Sequence, residues 1–146
     1  MKKFFLFSIL VSMIFISCKK SSNTTSCSLS SSSIVGNYKI TSYMMTSGGQ
    51  TMDMFSDTNY TPLCSRDNIY TISANGIFTE SEGAVSCNPP STSGNTGNWS
   101  LNGNTFSFVD SASTAFPYTV SDFSCTSFKL NLADSTTSVS ITMTRQ

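Results

Sequence analysis

The chain has 146 residues, a formal net charge of zero, five cysteines, no histidine and only 11% charged residues, and about a third of it is Ser and Thr. That length holds one domain once an export segment is set aside; Ala, Leu, Glu and Lys are too few for helices, whereas Thr, Tyr, Phe, Ile and Val suit strands. From residue 34 onward four basic residues stand against eight acidic ones, a net −4, which excludes the basic face a nucleic-acid partner requires.

Lys2 and Lys3 precede an apolar run over 4–16. The run is shorter than the roughly 20 residues that cross a bilayer, so 1–17 reads as a signal peptide. It ends in Phe15-Ile16-Ser17-Cys18. This segment resembles the lipobox of bacterial lipoproteins, a small residue before an invariant cysteine, with Phe15 in place of the Leu that family prefers. In that family the thiol is diacylated, the peptide is cut before the cysteine, and the new amine is acylated. The resemblance implies lipidation of Cys18, palmitate incorporation and a membrane as partner. Residues 18–33 carry no periodicity and almost no apolar side chains, the composition of a flexible Ser-rich tether. Lys19-Lys20 lacks the acidic pair that marks surface export in some Bacteroidetes-type lipoproteins. That resemblance implies the periplasmic face of the outer membrane.

Residues 34–146 read as strand after strand. Over 34–45, Ile34, Gly36, Tyr38, Ile40 and Met44 alternate with Asn37, Lys39 and Thr41, which puts the first set inward. Ser47-Gly48-Gly49 turns the chain into a short strand over 50–55, with Met52 and Met54 on one face, and 57–66 is a loop. Segments 67–73 and 77–82 form a hairpin. A three-residue loop with a left-handed Gly76 pairs Ile72 with Phe78 and collects Tyr70, Ile72 and Phe78 on one face. After a Pro-containing loop at 86–96, a two-residue Asn102-Gly103 turn pairs Trp99 with Phe106, and Trp99, Leu101, Phe106 and Phe108 share a face. Strands follow at 116–123, 128–132 and 139–143, with Tyr118, Val120, Phe128, Leu130, Leu132, Val139, Ile141 and Met143 alternating inward. Eight strands, nine with 50–55, are joined without helix-sized crossovers. The sheet is therefore antiparallel, an up-and-down barrel or a sandwich.

Three blocks resemble small lipocalin-like lipoproteins of Bacteroidetes. Val35-Gly36-Asn37-Tyr38-Lys39-Ile40 is similar to that family's Gly-x-Trp-Lys-Leu opening, with Tyr38 where the family has Trp. Cys64, Asp67-Asn68, Ile72, Asn75-Gly76-Ile77-Phe78 and Cys87 are similar to its second block. Gly97-Asn98-Trp99-Ser100-Leu101 before Asn102-Gly103-Asn104 is similar to its third. The resemblance spans about 34–109 and implies an eight-stranded barrel for 34–146. By analogy with classical lipocalins it also implies that Arg145 lies over Tyr38 at the closed end.

With Cys18 assigned to lipid, Cys27, Cys64, Cys87 and Cys125 allow three pairings. Cys64 and Cys87 flank the hairpin at its open end, which favours Cys64–Cys87 and leaves Cys27 and Cys125 for a second bond or as free thiols. Without His, wide Cys spacings make a poor zinc site, and no metal or cofactor is expected. No catalytic constellation stands out. Glu80 and Glu82 read as a solvated strand face, and Asp53, Asp57 and Asp67 lack a dense calcium loop. Asp110-Ser111-Ala112 and Asp134-Ser135-Thr136 resemble the sites at which Bacteroidetes attach O-glycans.

Two functions fit. In the first, a small apolar or amphipathic ligand enters a barrel lined by Tyr70, Phe78, Trp99, Phe106, Phe108 and Tyr118. In the second, the barrel is filled, and a structural or interaction protein contacts others through loops 57–66 and 86–96. The short strands favour a filled interior.

Overall fold

Alternating apolar and polar side chains need a closed surface to bury one face, and here the sheet closes on itself. The computed structural model describes residues 27–89, 96–110 and 114–146. The expected signal peptide, Cys18, most of the expected tether, part of loop 86–96 and Ser111-Ala112 lie outside the described residues. Nine strands follow in order: β1 Gly36–Ser47, β2 Gln50–Asp53, β3 Ile69–Ile72, β4 Ile77–Ser81, β5 Thr96–Asn102, β6 Thr105–Val109, β7 Ala115–Ser121, β8 Ser127–Ala133 and β9 Thr137–Arg145. Neighbours from β3 to β9 pair in sequence order, all antiparallel. Pairing of β1 with both β3 and β9 closes an eight-stranded up-and-down barrel. β2 is the extra strand. It takes the edge of β1 at Met44–Ser47, above the short stretch where β3 pairs.

The hairpin turns show how local chemistry sets register. Between β3 and β4, the Ser73 N–H donates to the Ile77 carbonyl and Gly76 takes φ +83°, so Ile72 faces Phe78 as expected. Between β5 and β6 the outcome differs from the sequence reading. Asn102 pairs with Thr105, Leu101 with Phe106 and Trp99 with Phe108. The two turn residues are Gly103 and Asn104, and of these only Gly103 has positive φ, at +57°. Gly at the first turn position is the type II′ arrangement, which wins over a turn centred on Asn102-Gly103. A register shift of two residues returns every side chain to its face, so the shared face of Trp99, Leu101, Phe106 and Phe108 survives.

The first strand departs in a second way. Ile40 faces Met143 and Ser42 faces Thr142, leaving Thr41 as an extra residue. This bulge reverses the alternation. Tyr43 then lies opposite Ile141 on the inner face, and Met44, expected inward, lies opposite Ser140 on the outer one. Met52 and Met54 do not share a face either. β2 stops at Asp53, whose carboxylate accepts the Phe55 and Ser56 N–H groups and the Ser56 hydroxyl, so the chain turns. Met54 is buried by that turn and Met52 is 40% exposed. Those bonds hold the Asp53 carboxyl below the usual range, the Ser56 hydroxyl contributing most.

One end of the barrel is packed solid. Ile34, Tyr38, Ile72, Trp99, Phe106, Val120, Phe128 and Met143 are all buried there. Ile34 precedes β1 rather than belonging to it, and it acts as part of the plug. The Tyr38 hydroxyl donates to the Ile34 carbonyl at 2.8 Å, and its ring meets Phe128 edge-on at 5.1 Å. Arg145 lies over Tyr38, with its guanidinium carbon 5.0 Å from the ring centroid. It donates to the Tyr38 oxygen at 2.7 Å and to the carbonyls of Ser33, Val35 and Cys125. Burial pushes the Tyr38 phenol above its ordinary pKa, and the neighbouring Arg145 opposes that shift. A Cβ on Gly36, at φ +156°, would run into the guanidinium.

Because one fork ties three chain segments, Arg145→Ala is expected to cost about 2–3 kcal/mol, the scale of hydrogen bonds made by a charged group. Arg145→Lys recovers only part of this, since an ammonium cannot reproduce the planar fork. Urea midpoints of the three proteins check it. Full recovery with Lys would show that charge alone matters.

Two disulfides complete the frame. Cys27–Cys125 joins the entering segment to the β7–β8 loop at the closed end, and Cys64–Cys87 joins the β2–β3 loop to the segment after β4 at the other end. The single ion pair recorded among the described residues, Lys129–Asp122 at 2.8 Å, is exposed and contributes little.

Candidate functional site

Above the packed floor the interior opens. A cavity of about 330 Å³ lies between the floor and the mouth, the end where β3 and β5 begin and β4 and β6 finish. Its deep wall is Phe106, Leu130, Ile141 and Met143, with Ile40 beside them; Tyr70, Phe78, Phe108 and Tyr118 form the sides; Glu80, Thr96 and Asp110 lie at the mouth end. This overturns the expectation of a filled interior. The volume suits one small molecule.

The opening has a local cause. Gly97 faces Phe78 across β4 and β5, on the inner side of the wall. A Cβ there would collide with the Phe108 ring and the Val109 carbonyl. The missing side chain lets Phe108 lie back against the wall, where it packs 4.8 Å from Phe78. A larger residue would push that ring into the lumen.

Of the six side chains that the sequence offered as ligand contacts, Tyr70, Phe78, Phe106, Phe108 and Tyr118 line the cavity. Trp99 does not. Its indole N–H donates to the Ser73 carbonyl at 2.8 Å, and its ring stacks on Phe106 at 5.8 Å, one layer below the lumen. The backbone register sets Trp99 opposite Phe108, but its ring turns towards the closed end, onto Phe106 and the Ser73 carbonyl. Trp99 still reports on the site, because Phe106 is both its stacking partner and a wall residue.

The polar groups were not foreseen. Glu80 was read as a solvated strand position, yet its Oε1 accepts from the Asn68 side-chain amide and from the Tyr70 hydroxyl, each at 2.9 Å. Asn68 is 1% exposed. Burial, and then the adjacent Glu80 carboxylate, hold the Tyr70 phenol far above its ordinary pKa, so it remains a neutral donor. Tyr118 is shifted the same way, by burial and then by nearby Tyr43. The faint signal in the sequence was that Tyr70 and Glu80 sit at facing hairpin positions.

Ile40, Tyr70 and Glu80 also bound a second, smaller cavity of about 270 Å³, beneath the β2–β3 loop, with Tyr43, Phe55, Tyr60 and Asn68 among its other walls. Arg66 shapes that loop. It donates to the Ser56 and Thr61 carbonyls and lies 5.6 Å over the Phe55 ring. In the same end of the molecule, Leu63 and Val85 flank the Cys64–Cys87 bond and are 67% and 56% exposed. Asp53 and Asp57 are engaged with their own turns, and Asp67 with the segment after β4, rather than with one another: Asp57 accepts from Asn59, and Asp67 from the Ala84 and Val85 N–H groups. Among the described residues, no three of Cys, Asp and Glu are grouped to hold a metal.

Comparison with known proteins agrees with this architecture. A family model described as a lipocalin-like domain matches residues 34–132. No curated protein and no solved structure matches the chain.

Proposed function

The chain belongs to the lipocalin-like domain family, and from that premise we propose that it is an envelope lipoprotein that holds one small apolar or amphipathic molecule inside its barrel. A lipid on Cys18 would keep it at the periplasmic face of the outer membrane. The observation that carries the binding reading is the cavity itself, about 330 Å³ walled by five aromatic side chains and closed below by a packed floor. A lumen of this kind left to water would sacrifice the contacts that a filled core makes, whereas a ligand restores them. Membership of this family supports binding rather than catalysis, as does the absence of histidine from the chain.

The neutral apolar dye N-phenyl-1-naphthylamine tests the reading. We expect saturable one-to-one binding, seen as dye emission and as a change in Trp99 fluorescence. Ile141, on the inner face of β9, lines the cavity. Ile141→Trp is expected to fill much of the lumen and weaken dye binding at least tenfold, with a melting curve showing that the barrel still folds. Absence of saturable binding by the wild type, or wild-type affinity in the folded variant, would overturn the proposal. The exposed Leu63 and Val85 give the second reading, contact with another protein through the loops, its motive, and it gains if the dye fails to bind.

A further inference from the structure

The smaller cavity lies where the barrel wall is incomplete. β3 pairs with β1 only from Gly36 to Tyr38, and β2 joins the same edge of β1 only from Met44 onward. Along residues 39–43 that edge meets neither strand. The Met54 and Phe55 N–H groups both donate to the Tyr43 carbonyl, and from there the β2–β3 loop crosses the gap as a roof. The Cys64–Cys87 bond and the Arg66 guanidinium fix that roof. Beneath it, the cavity of about 270 Å³ shares Ile40, Tyr70 and Glu80 with the central one, so the two are neighbouring chambers with a wall in common.

The chambers differ in chemistry. The base of the central one is apolar, formed by Phe106, Leu130, Ile141 and Met143. The side chamber has the rings of Tyr43, Phe55 and Tyr60, with Thr61, Ser65 and Asn68 among them. The charged residue among its described walls, Glu80, is engaged by the Tyr70 hydroxyl and the Asn68 amide. The Thr61 and Ser65 hydroxyls donate to the Met54 and Pro62 carbonyls, which leaves their oxygens as acceptors. The Tyr43 and Tyr60 hydroxyls make no hydrogen bond among the described residues, so each can both donate and accept. Several neutral donors and acceptors set around aromatic faces match a ring that is apolar on its faces and hydroxylated at its rim. A pyranose has that form. A phenol would engage only one of these groups, and a flexible polar chain would lose more freedom on being held.

On these grounds, and resting on the reading of the central cavity as a ligand site, we propose that the protein binds alkyl glycosides across both chambers: the chain in the central cavity, one neutral sugar ring in the side chamber, and the two joined past Ile40 and Tyr70.

Displacement of N-phenyl-1-naphthylamine by three eight-carbon competitors, each below its micelle concentration, tests this. The competitors are octyl β-glucoside, 1-octanol and octyl triethylene glycol ether, whose head is neutral and polar but has no ring. The glucoside is expected to bind at least tenfold tighter than either of the others. Tyr60→Ala, at a largely exposed position, and Tyr43→Phe are each expected to shrink the glucoside-to-octanol ratio at least threefold. Leu63→Ser, exposed on the same loop and outside the chamber walls, is expected to leave the ratio unchanged. Ile141→Trp is expected to weaken all three competitors together. Equal affinity for the three, a ratio that follows Leu63→Ser as much as the chamber variants, or a glucoside that keeps its affinity in Ile141→Trp while the dye loses it, would overturn the two-chamber assignment and leave the binding function standing. Failure of the dye and all three competitors to bind would overturn both.

Discussion

Replacing Cys27 and Cys125 by serine together is expected to destabilise the protein by about 4–5 kcal/mol, more than the corresponding Cys64/Cys87 double replacement at about 3 kcal/mol. The difference follows from loop length. The first bond joins positions 98 residues apart and the second joins positions 23 apart, and the entropy removed from the unfolded chain grows with the logarithm of that separation. The longer bond also has a structural consequence that the shorter one lacks. It docks the segment that delivers Ile34, fully buried, into the floor of the barrel. The same segment offers the Ser33 and Val35 carbonyls to Arg145, which also holds the Cys125 carbonyl across the bond. Once the bond is gone, the Arg145 fork and the Tyr38 hydroxyl's bond to the Ile34 carbonyl remain to hold the plug. A domain of this size typically has 5–15 kcal/mol of stability in total. Thermal unfolding should therefore shift by roughly 15–20 °C. If the Cys27/Cys125 variant melts no lower than the Cys64/Cys87 variant, the plug is held without its staple and this account of the closed end is wrong.

The strands and their inward faces were legible in the sequence because both depend on period two. Tyr70, Ile72 and Phe78, or Trp99, Phe106 and Phe108, stay on one face under any register shift of two. The turn at 102–105 shows the limit of that reading. Asn-Gly and Gly-Asn are both present in Asn102-Gly103-Asn104, and the choice between them depends on which residue takes positive φ, which cross-strand packing decides. The bulge at Thr41 has no Gly or Pro to mark it, and it alone moves Tyr43 inward and Met44 outward. The open lumen was missed for a further reason. Counting aromatics gives the material available to fill a barrel but not where each ring lies. Gly97 decides that by letting Phe108 fold against the wall, and in sequence it reads only as the first residue of a strand motif. The polar end was missed because Glu80 and Glu82 form an i, i+2 pair that ordinarily faces water. Only the hairpin register brings Glu80 beside Tyr70, where its partner is a buried phenol.

Cys18→Ala is expected to move the protein from the membrane pellet to the soluble fraction almost completely and to abolish incorporation of radiolabelled palmitate. A single acyl chain binds a bilayer only reversibly, with an association constant on the order of 10⁴ M⁻¹. The three chains implied by a lipoprotein-type cysteine would hold it essentially permanently, so the change on losing them should be all or none. The anchor would also orient the barrel. From Cys18 to Cys27 is nine residues, a reach of at most roughly 32 Å even fully extended. Cys27 is bonded to Cys125 at the closed end, so an anchored protein would hold its floor towards the bilayer and its mouth away from it. Spin labels at Asn104, in the floor-side turn between β5 and β6, and at Ser135, in the mouth-side turn between β8 and β9, test that geometry. Relaxation by a lipid-soluble agent should be stronger at Asn104, and relaxation by a water-soluble one stronger at Ser135. Palmitate label or pelleting retained in Cys18→Ala would remove the anchor. The reverse depth order in the anchored protein would instead keep the anchor and place the mouth against the membrane, so that ligand would pass directly between bilayer and barrel.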